Sequence, residues 1–195
     1  MSNWCENILT IKGEKEILSA FVEKAKGKDT DLSLNSLIPM PDEIRNTDSP
    51  CSPNHELRKQ YGADNWYDWA IANWDVKWDV EARGYMEEKE IRYDFDSAWS
   101  PPIKAIKTIA RQYPGLCFWL DYEEPGMGFA GSLSVKNGEV IKDICVDIKY
   151  GVCPECREDS YITLSGECSM CGIEISESDL LKKKEEIVTE KASVV

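Results

Sequence analysis

The chain has 195 residues, a net charge of −13 at pH 7, and is 42% hydrophobic and 30% charged. That suits one ordinary globular domain with a small appendage. No run approaches the roughly 18 apolar residues of a membrane span, and an acidic balance of this size disfavours generic binding to a phosphate backbone.

The opening "MSNWCENILTIKG" lacks a basic segment followed by an apolar one, so it does not read as a signal peptide, and the expected compartment is the cytoplasm. "CENILTIKG" is expected to be a strand ending at Gly13. In "GEKEILSAFVEKAKG", Ile17, Leu18, Phe21, Val22 and Ala25 recur three and four apart, which predicts a helix stopped near Gly27. "DLSLNSLIPMPDEI" reads as extended, and "NTDSPCSPN" as a loop. A helix is expected over 55–61. After Gly62, Asp64 or Asn65 can cap a further helix carrying Trp66, Trp69 and Trp74 on one face, which predicts core packing. Asn65 and Asp68, off that face, are the expected surface of this helix.

"VKWDVEARGY" and "EIRYDFDSAW" read as a hairpin. In the second strand Ile91, Tyr93, Phe95 and Ser97 alternate with Arg92, Asp94 and Asp96. "SPPIKAIKTIARQYPG" predicts a helix capped by Ser100, with Ile103, Ile106, Ile109 and Ala110 buried. Three strands follow, the last two joined at Asn137–Gly138. Cys117 and Cys145 lie in these strands and are expected in the core. The fold class is therefore α+β: a ferredoxin-like antiparallel sheet with helices on one face and a helical insert over residues 1–149.

Residues 150–195 form the appendage. Cys153-x-x-Cys156 and Cys168-x-x-Cys171 are two CxxC pairs eleven residues apart. Four thiolates suit tetrahedral Zn²⁺, and a closed sphere of four cysteines leaves no position for a reacting water. One structural zinc ion in a small zinc ribbon is expected, supplying folding free energy that so few residues cannot obtain from a core. Such a ribbon serves either as a stabiliser or as a docking module. The tail begins with a capping-box pattern, Ser176 and Asp179, and Leu180, Leu181, Ile187 and Val188 fall on one face of an expected C-terminal helix.

Catalytic residues are not apparent. His55 is the one histidine and lies in a polar segment. Glu123 and Glu124 are adjacent on a strand and so point to opposite faces. "GMGFAG", with Gly126, Gly128 and Gly131, leads into a strand rather than a helix. It therefore reads as a tight turn with close backbone approach, not as a phosphate loop.

"MSNWCENILTIKG", "SLIPMPDEI", "YGADNWYDWAIANWDVKWD", "SAWSPPIKAI" and "DYEEPGMGFAG" resemble, in order, the Api92/YubB-type ferredoxin-like family of phage and plasmid proteins over residues 1–149. Where that family often reads WGTKW, this chain has "WDVKW", with Asp75 and Val76 in place of small residues, which is expected to alter a local turn. The four-cysteine module stands outside these motifs, as an added domain. The resemblance implies a mobile-element origin and supplies no catalytic residues. The expected function is a non-enzymatic accessory protein that binds a host or phage protein and inhibits a bacterial defence system, anti-CRISPR or similar. One alternative is nucleic-acid binding through the ribbon or the sheet face, using Tyr93 and Phe95. Others are a small-molecule or nucleotide sponge built on the Trp-rich stretch and, ranked last, a hydrolase using carboxylates.

Overall fold

A computed structural model describes residues 3–180. Its main sheet has six strands: β1 (Trp4–Gly13), β2 (Ala82–Met86), β3 (Glu90–Ala98), β4 (Leu116–Glu124), β5 (Phe129–Lys136) and β6 (Glu139–Asp147). Their order is β2-β3-β1-β4-β5-β6, every neighbouring pair antiparallel. The first four strands are two interleaved split βαβ units, with α1 (Lys15–Ala25) and α6 (Ile103–Gln112) as crossovers. This is the expected ferredoxin-like α+β fold, extended by two strands beyond β4.

Alternation decides which face is covered. Cys5, Leu9 and Ile11 of β1, Ile91, Tyr93 and Phe95 of β3, and Phe118 and Leu120 of β4 are buried in one continuous core. Phe21 of α1 enters this core with its ring edge-on to Phe118 and Tyr113. Asn7 is a buried polar residue in this face, beside Ser97. Its Nδ2 donates to the Cys5 carbonyl (2.7 Å) and to Ser97 Oγ (2.8 Å), so no desolvated amide is left unpaired. Among the described residues no helix covers the opposite face.

The insert between α1 and β2 holds α2 (Leu34–Leu37), α3 (Asp42–Arg45), α4 (His55–Tyr61) and α5 (Trp66–Trp74). The stretch expected to be extended therefore contains two short helices. Ser33 caps α2, and the Asp79 carboxylate binds the Ser33 hydroxyl and the Leu34 N–H, both at 2.6 Å. Asn65, expected at the surface, is buried: its Oδ1 caps α5 by accepting from the Asp68 N–H. Trp69 and Trp74 are buried edge-to-face, 5.3 Å between centroids, while Trp66 packs at the margin.

Asp75 takes the left-handed conformation (φ 65°) just after α5, where the related motif carries a small residue. Its carboxylate accepts from the Lys104 N–H at 2.7 Å, so α6 is capped from across the fold rather than by Ser100. Ser100 Oγ donates instead to the Asp75 carbonyl. The strand expected from residue 76 begins at Ala82. Cys117 is half-buried and Cys145 exposed, against the expected core placement; Cys145 lies on β6, the strand at the edge of the sheet. Asn137 and Gly138 both have positive φ, as a two-residue hairpin turn requires. Among the described residues no helix is long and apolar enough to cross a membrane.

A second sheet pairs β7 (Tyr150–Val152) with β8 (Asp159–Tyr161). The capping box of Ser176 and Asp179 is present, on a single 3₁₀ turn over Glu177–Asp179. The remainder of the expected C-terminal helix, with Leu181, Ile187 and Val188, lies outside the described residues.

Candidate functional site

The four cysteines of the two CxxC pairs converge. Cys153 and Cys171 sulfurs are 3.8 Å apart, Cys156 and Cys168 are 3.9 Å apart, and all four lie within 4.8 Å of one another. A tetrahedron of sulfurs about 2.3 Å from a central ion has edges of about 3.8 Å. The donor set and its spacing therefore fit one metal ion with no open position.

Two knuckles built alike present these sulfurs. In the first, the Arg157 N–H returns to the Cys153 carbonyl (3.0 Å). In the second, the Gly172 N–H returns to the Cys168 carbonyl (2.8 Å). Arg157 and Gly172 both have positive φ, 62° and 71°. The Met170 N–H also points at the Cys168 sulfur, 3.4 Å away. Burial acts to raise the Cys168 thiol, but hydrogen bonds, led by the Cys171 and Met170 backbone N–H groups and joined by the Ser160 and Cys171 side chains, together lower it to about 6. Cys171 is hydrogen-bonded by the Ile173 N–H, yet burial and the neighbouring thiols push it up to about 12. Such a cluster holds protons that a cation displaces on binding. Cys153, Cys168 and Ile175, with Ile162 and Leu180 beside them, make up its small apolar core.

The module is seated at the end of the sheet. The Tyr161 hydroxyl donates to Glu123 Oε1 at 3.0 Å, the Ile148 N–H donates to the Gly128 carbonyl at 2.8 Å, and the Tyr150 hydroxyl bonds the Pro125 carbonyl. The "GMGFAG" turn thus supports the module, a role that its glycines do not announce. Gly128 has φ 80°, and Gly131 is a close approach as expected: a Cβ there would collide with the Tyr122 hydroxyl and the Ile144 carbonyl.

From this seat, residues 163–167 form one wall of a cleft of about 720 Å³ over the helix-free face of the sheet. Register makes its floor acidic. Glu6 lies opposite Asp96 and Glu123, and Ile8 lies opposite Asp94 and Asp121. Three adjacent strands thereby set five carboxylates around one isoleucine, with Glu167 contributed by the wall and Arg92 and Lys142 at the margin. Arg92 is already paired with Asp94 at 2.7 Å. Desolvation, and then the Glu123 and Asp96 charges, raise the Glu6 carboxyl above its ordinary value. Burial and the Glu123 charge likewise raise the Tyr161 hydroxyl. Sequence reasoning misses this floor, because it needs the strand order. The one signal is the polar face of the alternating "EIRYDFDSAW".

Other candidate residues fall elsewhere. His55 is exposed at the start of α4. Glu124 is buried and accepts from the Met127 N–H, on the opposite face from Glu123. Tyr93 and Phe95 are buried beneath the helices, so neither offers a ring to a base on the open face.

Residues 73–162 match the family model described as "Ferredoxin-like domain in Api92-like protein". Over these residues the chain is similar to the ferredoxin-like domain of Api92-like proteins. The matched segment takes in Cys153 and Cys156 and stops before the second CxxC pair, so the Api92-type model reaches into the module expected to be an addition. The crystal structure of a protein api92 from Yersinia pseudotuberculosis is similar in fold, with a TM-score of 0.50 at 11% identity, over 74% of this chain and 98% of that one. No curated protein matches the chain.

Proposed function

We propose that this Api92-type protein is a non-enzymatic binding protein of a mobile element, and that its acidic cleft captures a basic segment of a bacterial host protein. The observation that carries this is the grid of carboxylates on three adjacent strands. Like charges at cross-strand spacing repel one another, and a row of Lys or Arg side chains relieves that repulsion while gaining charge-assisted hydrogen bonds. The same field opposes a nucleic acid on this face. Inhibition of a defence system is the consequence we propose for such capture, supported by the resemblance to proteins of phages and plasmids.

Zn²⁺ is the ion we propose for the Cys153, Cys156, Cys168 and Cys171 site, on ligand softness and tetrahedral spacing. Its role is structural: it holds residues 163–167 as the cleft wall. Residues 1–149 and 150–195 are proposed as the two domains. The host cytoplasm is the proposed compartment, where Cys5, Cys51, Cys117 and Cys145, all unpaired, remain thiols.

The test is affinity capture from bacterial lysate with the wild-type chain and with an Asp94→Lys/Asp121→Lys variant. The expected result is a stoichiometric host protein that the wild type retains, the variant loses, and raised salt weakens. No stoichiometric protein, or equal capture by the variant, overturns the reading.

A further inference from the structure

The four tryptophans of the Trp-rich stretch do not share one fate. Trp69 and Trp74 are 6% and 3% exposed, whereas Trp78 is 44% exposed and Trp66 only partly covered. Trp66, Trp78 and part of Trp74 border a pocket of about 390 Å³, with Met40, Arg45 and Lys77 beside them. It shares no lining residue with the acidic cleft. The volume is within the roughly 300–1,000 Å³ of small-molecule sites.

The polar groups of this pocket divide sharply into spent and unspent. The Asp79 carboxylate is consumed by the Ser33 hydroxyl and by the Leu34 and Val80 N–H groups. Thr47 Oγ1 donates to the Ile44 carbonyl and accepts from the Trp66 N–H. Trp74 Nε1 donates to the Ile38 carbonyl. The charged groups that remain are cationic. Arg45 is held in place through Nη2, which donates to Asn35 Oδ1 (3.0 Å) and the Met40 carbonyl (3.1 Å), and its Nε lies 3.6 Å from Asp42. Its Nη1 has no protein partner among the described residues. The Lys77 ammonium rests 3.7 Å above the centroid of the Trp78 ring and makes no ion pair among the described residues. A chain of net charge −13 thus places two cations in one aromatic-lined pocket, one of them over the Trp78 ring.

We propose that this pocket binds a nucleoside monophosphate. The flat base lies against the indole surfaces of Trp66 and Trp78, as bases do on aromatic platforms. The phosphate is held by the free Nη1 edge of Arg45 and by Lys77. Arg45 suits the phosphate because its fork is already oriented by the Met40 and Asn35 oxygens. Lys77 leaves the Trp78 face as the base takes it, exchanging a cation–π contact for a phosphate contact. The assignment stands apart from the cleft reading, and either one holds or fails without the other.

The experiment is a titration of the full chain with AMP, GMP, CMP and UMP, read by tryptophan fluorescence and calorimetry. At least one nucleotide is expected to saturate with a Kd below about 1 mM. Lys77→Ala, Arg45→Ala and Trp78→Ala are each expected to weaken it by roughly tenfold or more. The nucleoside of that nucleotide, lacking the phosphate, is expected to bind as weakly as the nucleotide binds the Arg45 variant. Far-UV melts check that each variant folds, and Lys77→Gln replaces any alanine variant that does not. No saturable signal from the four nucleotides overturns the proposal, as does equal binding of the saturating nucleotide and its own nucleoside. Affinity that rises with the length of a single-stranded oligonucleotide also overturns it, since a strand rather than a free nucleotide would then be the ligand.

Discussion

At the scale of single residues, the two metal knuckles invite direct comparison, because they solve one backbone problem with different residues. Each returns an N–H to the first cysteine's carbonyl from a residue in the left-handed region, Arg157 in one and Gly172 in the other. A side chain in that region costs roughly 1–2 kcal/mol that glycine does not incur, partly offset by the greater freedom glycine has when unfolded. Arg157→Gly is therefore expected to stabilise the module by about 0.5–1 kcal/mol, and Gly172→Ala to destabilise it by a similar amount. Competition with a chromophoric chelator reads both, as tighter and looser metal retention. Looser retention in Arg157→Gly would show that the arginine side chain, not the backbone, sets the knuckle.

At the scale of elements, the Trp-rich helix shows what a sequence conveys and what it withholds. Spacing alone places Trp69 and Trp74 inward, and both are buried against each other. Truncating either to alanine is expected to cost about 3–5 kcal/mol and to lower the thermal midpoint sharply. Trp78→Ala, at an exposed position, is expected to leave it nearly unchanged. Equal midpoints for Trp69→Ala and Trp78→Ala would refute the core assignment. Periodicity is also sufficient for α1, α6 and the alternating strands, since each is long enough to bury a stripe. It fails over 31–44, because α2 and α3 have four residues each, about one turn, and Asp79, distant in sequence, completes the cap of α2. It fails at Ser100 for the same reason: the group capping α6 is Asp75, brought there by tertiary structure. Local pattern misplaces Cys145 because nothing in it says that β6 ends the sheet. The metal site is legible, being local in sequence. The acidic cleft is not, being a product of strand order, and the pocket at Trp78 depends on Arg45 from a helix that the pattern does not reveal.

At the scale of the molecule, charge and metal act together on the cleft. Glu6 has a folded value raised above 4.5, by desolvation and then by Glu123 and Asp96. Between the ordinary value and the raised one, the folded state holds more protons than the unfolded state, so stability from this group falls as pH rises through that window. Glu6→Gln removes the penalty. It is expected to raise the thermal midpoint at pH 7 and to match the wild type near about pH 3.5, where the carboxyl is protonated in both states. A lower midpoint at pH 7 would mean that Glu6 is favourably paired instead. The cleft's wall depends on the module, whose apolar core is a few residues around Cys153 and Cys168, so its folding is proposed to rest on an ion held by the four cysteines. Stripping the metal under reducing conditions, or introducing Cys168→Ser, is expected to open residues 150–180 to proteolysis. Capture of the cleft's partner should be lost with it, because the Tyr161–Glu123 bond and the 163–167 wall go together. The main sheet is expected to persist, since its core of Leu9, Phe21, Tyr93, Ile106 and Phe118 makes no use of the module. Near-ultraviolet dichroism of the Trp69–Trp74 pair reports on that sheet separately. Retention of its signal after metal loss, with the partner released, is the expected pair of results. Simultaneous collapse of both signals would make the metal a keystone of the whole fold, and unchanged partner binding without metal would remove the module from the binding surface.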